Sequence, residues 1–261
     1  MTTLSSVVAP ALRSVAGLFF PPVCLLCGKR KEWSRVPVCE ECLSRQARMN
    51  YVSGAHGTVE RLFWKRFPVE RATAMYFFHE GRIRQLIHAI KYHQHPEIAL
   101  QVAARWAEEM QTTDFFDGVD AIIPLPVHWR HWLKRGYNQT YYIARGISRV
   151  THIPVLRGVV VRRKRGTTQT QARGIDERKK NVQGSFRLKH MERVEGMHVL
   201  LVDDVLTTGA TLTSCARELA KATGIRISVF ALAYAGTILH PAEDKRPDYV
   251  GAEDDDFVFE W

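Results

Sequence analysis

Two adjacent acids, Asp203 and Asp204, follow the apolar run Val199–Val202 and precede a hydroxyl-rich stretch, Thr207-Thr208-Gly209-Ala210-Thr211. Beyond it Leu212, Cys215, Ala216 and Leu219 recur at i, i+3, i+4 and i+7, one face of a helix packed on a sheet. A short buried strand, a loop and then a helix put the hydroxyls at a helix amino end. Unpaired N–H groups and the positive end of the helix dipole favour an anion there. Carboxylates beside that anion suit hydroxyls or Mg²⁺ better than more phosphate. Together the residues fit a sugar 5-phosphate, with the phosphate on the loop and the ribose diol on the acids. The plainer alternative is a solvated strand end with Thr207 or Thr208 as a helix N-cap. Acids, paired threonines, Gly209 and Thr211 in the correct flanking pattern favour binding. A dinucleotide fingerprint needs three glycines in its turn and a P-loop needs Gly-Lys-Ser/Thr; this loop has one glycine and no lysine.

A second chemistry lies near the start. Cys24-x-x-Cys27 and Cys39-x-x-Cys42 are separated by eleven residues. Each pair sets two thiolates on one tight turn, and two such turns complete a tetrahedral Zn²⁺ site. A redox motif needs only one pair. A closed Cys₄ site is structural, and its binding energy folds a segment too small to fold alone. The fifth cysteine, Cys215, lies on the core face of its helix and reads as a small buried hydrophobe.

These residues need a scaffold, and the pattern supplies one. Strands are expected at Arg71–His79, Val119–Ile123, Val155–Val161, Met197–Val202 and Arg226–Ala233. Helical patterns run through Ile83–Tyr92, Ala99–Met110 and Gly136–Val150. Strands alternating with helices imply a parallel sheet covered on both faces, an α/β fold. Ligands of such sheets bind beyond the carboxyl ends of the strands, where Asp203 lies. Residues 1–65 are expected to form a helix over Val7–Val23 and the zinc module, residues 66–236 the sheet domain, and residues 237–261 an acidic tail.

Charge is uneven. The chain carries +10; eight acids against Lys245 and Arg246 make residues 241–261 −6 and leave +16 on residues 1–240. A body this basic attracts phosphates, on a small substrate or on a nucleic acid. No stretch reaches the roughly 20 apolar residues of a membrane span, and Val7–Val23 has neither a basic start nor a cleavage site. A cytoplasmic location is expected, where disulfides are rare.

Three further stretches are candidates. Pro124-Leu125-Pro126-Val127-His128 makes a rigid turn at a strand's carboxyl end. Arg135-Gly136-Tyr137-Asn138-Gln139 would set an arginine and two amides at a helix amino end, facing a diphosphate; the alternative is a capped basic helix. Arg162–Asn181 holds eight basic residues and almost nothing apolar, so it reads as a loop. Such a loop would close over a substrate and exclude water, or touch single-stranded nucleic acid through its phosphates. His128 and His131 read as surface or packing residues.

The run Val199–Leu212 resembles the phosphoribosyl-pyrophosphate (PRPP) motif of type I phosphoribosyltransferases, and the four cysteines before it resemble the ComF family of bacterial competence proteins. The resemblance extends from about Leu18 to Ala235. It implies a type I phosphoribosyltransferase-like sheet behind a small zinc-binding module, with PRPP and Mg²⁺ as ligands. The 5-phosphate would sit on Thr207, Thr208, Gly209, Ala210 and Thr211, and the ribose on Asp203 and Asp204. Pro126, Val127 and His128 would steady the pyrophosphate, with Arg135 joining the two acids as catalytic. Thr168, Gln171, Arg178 and Asn181, followed by Gly184 and Phe186, resemble the family's loop signature in slightly compressed spacing. The family implies transfer of phosphoribosyl to an acceptor that the sequence does not identify. The rival is a non-catalytic DNA-uptake factor that docks single-stranded DNA or competence-machinery proteins. Trp129, Trp132, Tyr137, Tyr141 and Tyr142, interleaved with basic residues, would then stack bases, although the tyrosines read more readily as core residues.

Overall fold

The computed structural model describes residues 22–31, 36–53, 57–64, 66–79, 81–92, 95–163 and 185–236. Most of the expected helix at Val7–Val23, the basic loop residues Thr168, Gln171, Arg178, Asn181 and Gly184, and the acidic tail lie outside them.

Among the described residues six strands and seven α-helices follow in order: α1 (Glu40–Ser44), α2 (Thr58–Arg61), β1 (Ala72–Phe77), α3 (Ile83–Tyr92), α4 (Pro96–Met110), β2 (Ala121–Pro124), α5 (Trp129–Arg135), α6 (Gln139–Thr151), β3 (Val160–Arg162), β4 (Phe186–Leu188), β5 (His198–Leu206), α7 (Ala210–Leu219) and β6 (Arg226–Tyr234). Four strands form a parallel sheet in the order β1-β6-β5-β2. Its strands are buried on both sides, which is why they read as continuous apolar runs.

Alternation along β5 sorts the layers. Leu200 and Val202 join a core that includes α3, α4 and α6. Val199 and Leu201 join a second core with Val59 of α2, Phe186 of β4 and the buried face of α7. The α4–α6 contact requires Gly146, because a Cβ there would lie 2.2 Å from the Leu100 carbonyl oxygen. The sheet edges are covered: Arg48 bridges Tyr76 beside β1, and Val155 bridges Ile122 beside β2. The cysteine segment shares the first core, where Cys24, Leu26, Val38, Cys42 and Leu43 are buried with Met75 and Tyr76.

The expected elements change in three places. β5 does not stop at Val202 but runs to Leu206, because β6 extends beside it and pairs Val205 with Ala233 and Leu206 with Tyr234. The strand expected over Val155–Val161 reduces to a single bridge at Val155. The regular strand is β3, paired antiparallel with β4 in a separate two-stranded sheet. The helix expected from Gly136 begins at Gln139, and α5 precedes it. Gly136, at φ 78°, ends α5 in the left-handed conformation that glycine adopts without strain.

Candidate functional site

Because β5 continues through the acids, Asp203 and Asp204 project to opposite faces. Asp204 follows the phase of Leu200 and Val202 and meets the ends of α3 and α6. Its Oδ2 accepts from Gln139 Nε2 at 2.7 Å and lies 3.2 Å from Lys91 Nζ, while its Oδ1 accepts the Val205 N–H at 2.7 Å. Burial would push this carboxyl up, but Lys91, the Gln139 hydrogen bond and Arg135 outweigh it and hold Asp204 below the usual carboxylate range. Asp203 is half-buried toward α7, and its Oδ1 accepts the Asp204 N–H at 2.8 Å. Burial and the neighbouring Asp204 charge raise its carboxyl. One acid of the pair is thus fixed as an anion, and the other is poised to gain from a nearby cation.

The loop after β5 turns at Gly209, the residue before α7, with φ 74°. Neither threonine caps α7 in the usual way; Thr208 Oγ1 receives only a long hydrogen bond, 3.4 Å, from the Ala210 N–H. Thr207 and Thr208 are exposed, and Gly209 is buried against Phe63. Arg66 donates from Nη1 to the Thr208 carbonyl.

Pro124 closes β2, and Leu125–His128 forms the next turn. The Leu125 carbonyl accepts from Asn138 Nδ2 at 3.1 Å and Thr140 Oγ1 at 2.7 Å. Asn138 Oδ1 in turn accepts the Thr140 N–H at 3.0 Å as the cap of α6. The two amides therefore do not face a common ligand: Asn138 ties the turn to α6, and Gln139 holds Asp204. His128 caps α5 by accepting the Arg130 N–H at 3.3 Å. Arg135 sits at the carboxyl end of α5 rather than at a helix amino end. Its guanidinium lies 5.0 Å from the Tyr92 ring centroid, and its buried Nε has no hydrogen-bond partner among the described residues. Around Asp204 the fold thus gathers Lys91, Arg135 and Gln139 from three different helices.

Lys91 was not a sequence candidate, although a signal was present. It falls four residues after Ile87 and eight after Ile83, in phase with the buried face of α3. Gln139 shares the phase of Ile143 and Ile147 in the same way. A polar residue in register with a core stripe marks a buried polar contact. Arg66 carries no such pattern, because its partner lies 142 residues away.

The four cysteine sulfurs lie within 4.8 Å of one another, and Cys27 and Cys39 sulfurs are 3.8 Å apart. A tetrahedron with Zn–S bonds of about 2.3 Å requires sulfurs about 3.8 Å apart, so the cluster could hold a metal such as zinc. Cys24 and Cys27 occupy a knuckle closed by Gly28, whose N–H donates to the Cys24 carbonyl at 2.8 Å. Cys39 and Cys42 open α1. Burial would raise the Cys24 thiol, but the N–H groups of Cys39 and Leu26, 3.3 Å and 3.4 Å from its sulfur, help bring it down to about 6. A thiolate at neutral pH is the form that binds metal. Cys215 is fully buried, and burial pushes its thiol up. Among the described residues, no helix is long and apolar enough to cross a membrane.

Comparison with known proteins agrees with this geometry. Residues 90–261 match the family model described as "Phosphoribosyl transferase domain". "Competence protein F" of Haemophilus influenzae is 39% identical over 120 residues, 44% of this chain and about half (51%) of that protein. "DNA utilization protein YhgH" of Escherichia coli is 28% identical over 82% of this chain and 98% of its own. Among solved structures, the UMP synthase of Leishmania donovani is a distant likeness, with 17% identity, a TM-score of 0.33, and coverage of 57% of this chain and 24% of that one. The chain therefore belongs to the phosphoribosyl transferase domain family, as a ComF-type protein with a four-cysteine cluster ahead of its sheet.

Proposed function

We propose that this protein binds PRPP and transfers its phosphoribosyl group to an acceptor, in the service of DNA uptake or utilisation in the cytoplasm. The observation that carries the reading is the path from Asp203-Asp204 through exposed Thr207 and Thr208 to Gly209 and the amino end of α7. The 5-phosphate would take the N–H groups and hydroxyls of residues 207–211. The ribose hydroxyls would take the two carboxylates. Hard carboxylate and ribose oxygens fit Mg²⁺, which when bound would neutralise charge on the pyrophosphate. Lys91 and Gln139 keep Asp204 oriented and ionised. Arg135 brings a cation near the leaving group, beside the turn at Pro126, Val127 and His128.

The reaction breaks the bond from ribose C1 to the pyrophosphate oxygen, and the bonding pair departs with pyrophosphate. A lone pair on the acceptor forms the new bond at C1, and the acceptor gives up a proton. Thr168, Gln171, Arg178 and Asn181 are proposed to close over this centre and exclude water. The cysteine cluster is proposed to hold one structural Zn²⁺. Pyrophosphate release from PRPP in the presence of candidate acceptors tests the activity. Release that depends on an acceptor and disappears in the Asp203→Asn/Asp204→Asn double variant is expected; PRPP binding with no release by any acceptor would leave a binding module.

One feature favours that second reading. α5 buries none of its residues, and Trp129 and Trp132 are 47% and 52% exposed among Arg130, Lys134 and Arg135. Exposed aromatics among cations suit stacked bases and phosphates of single-stranded DNA. Tyr142 instead contacts both Tyr137 and Tyr141 ring to ring. Fluorescence anisotropy with an oligonucleotide should show affinity falling steeply with salt and weakening when PRPP and Mg²⁺ are added. Salt-independent binding would remove DNA from this surface. Competence-machinery proteins are the other proposed partners.

A further inference from the structure

We infer that Arg66, on the segment joining the cysteine cluster to the sheet, is a positioning residue for the phosphate monoester of the substrate. The inference rests on the proposed PRPP site and adds to it a residue from outside the 207–211 loop. Arg66 Nη1 donates to the Thr208 carbonyl oxygen. In a planar trans peptide the C=O and the following N–H point in opposite directions. Drawing the Thr208 carbonyl toward Arg66 therefore turns the Gly209 N–H away from Arg66, freeing it for an anion at the loop.

The same segment supports the loop from below. A Cβ on Gly209 would lie 3.0 Å from Phe63 Cε1 and 3.6 Å from Arg66 Nη1, so loop backbone, ring and guanidinium are in close contact. Phe63 is fully buried and packs against Phe67 with centroids 5.0 Å apart, which holds the segment in place. Glu60 anchors it to the sheet by accepting the Ala72 N–H at 3.1 Å. Arg66 itself is exposed. Its guanidinium carries five donors in a fixed fork. By holding the carbonyl, the fork keeps the Gly209 N–H directed at a dianion on the far side of that peptide. Lysine, a flexible point charge, could still donate to the carbonyl but would lose the fixed geometry of the guanidinium.

The test measures binding of PRPP, ribose 5-phosphate and pyrophosphate by calorimetry to the full chain, wild type, Arg66→Ala and Arg66→Lys. Melting temperatures are taken in parallel. Arg66→Ala should weaken PRPP and ribose 5-phosphate about tenfold, the usual scale for one charge-assisted contact. Pyrophosphate affinity and melting temperature should be unchanged, and Arg66→Lys should recover part of the loss. Equal affinity of wild type and Arg66→Ala for ribose 5-phosphate would overturn the inference while leaving the PRPP site intact. A loss of equal size for all three ligands, or one that tracks a lowered melting temperature, would make Arg66 merely structural and overturn it too. If wild-type protein binds neither PRPP nor ribose 5-phosphate, the PRPP reading fails, and this inference with it.

Discussion

At the amino ends of β5 and β6, His198 and Ser228 are buried at 1% and 0% exposure and are joined by a 2.9 Å Nε2–Oγ hydrogen bond, while His198 Nδ1 has no partner among the described residues. At the carboxyl end of β5, Asp204 is nearly as buried, at 6%, but its partners Lys91, Gln139 and Arg135 come from three helices, and the exposed Thr207 and Thr208 follow it in the chain. Both ends place polar groups inside an apolar sheet. The first is a closed pair that ties two strands together. The second concentrates an acid pair, two cations and a helix amino end beside open solvent. Burial of polar residues alone does not mark a site; what distinguishes this one is unequal titration of two neighbouring acids beside groups that can still take a ligand.

The largest expected effect comes from metal removal, which should reach both ends because the cysteine cluster shares a core with β1. Elemental analysis should find one Zn²⁺ per chain, and chelation should lower the melting temperature by about 10 °C or more, since structural zinc contributes folding energy directly. Much less than one metal per chain, with all four thiols alkylated in the native state, would end the zinc assignment.

Next is the acid pair. Asp203→Asn/Asp204→Asn keeps shape and removes charge, so the fold should survive, at the cost in stability of leaving Lys91 without its carboxylate. Mg²⁺-dependent PRPP affinity should drop at least about a hundredfold, two charge-assisted contacts being worth about 1.5–3 kcal/mol each. Unchanged affinity by calorimetry would place the sugar phosphate elsewhere and erase the difference between the two ends.

How much of this was legible beforehand depends on the range of the signal. Helix α7 was readable from the spacing of Leu212, Cys215, Ala216 and Leu219, all of them buried. The metal cluster was readable from two CxxC pairs, because each pair is a local turn. The end of β5 was not. Charged residues look like a strand terminus, and only pairing with β6, set by tertiary contact, carries the strand through them. Helix α5 was missed because it is short and buries nothing, so it leaves no apolar period. For the same reason the sequence pattern does not reveal that Arg135 ends a helix rather than opening one. Lys91 and Gln139 were in principle visible as polar residues in phase with core stripes, but their common partner Asp204 follows only from the sheet order.

Lys91 sharpens the contrast further. Its side chain is 22% exposed, and its ammonium pairs with the carboxylate of a side chain that is 8% exposed. Removing one partner of a largely buried pair leaves the other charge stranded, which costs about 3 kcal/mol. Lys91→Met should therefore lower stability by about that amount in urea titrations and weaken PRPP. Adding Asp204→Asn should return much of the stability, because no stranded charge remains, but not the affinity. Failure of the second substitution to restore stability would mean that Lys91 acts by packing alone.

The smallest effect is expected at the closed end. Burial, with Arg226 and Arg71 nearby, holds His198 below its ordinary pKa, against the opposing pull of Glu70 and Asp120. In the unfolded chain the imidazole titrates near its ordinary value of about 6.5. Between the depressed folded value and about 6.5 the unfolded state binds the extra proton. His198 therefore supports stability fully above about 6.5, and that support fades as pH falls below it. A single group sets a slope of at most about 1.4 kcal/mol per pH unit in that window. His198→Gln retains a donor or acceptor for Ser228 but cannot take the proton. The variant should be less stable at pH 8, lose less than wild type between pH 7 and pH 5, and bind PRPP as tightly as wild type. Carboxylates that titrate in both proteins cancel in that difference. Parallel stability curves would show that His198 is not the group responding to acid. A change in PRPP affinity would mean that the two ends of the sheet are coupled after all.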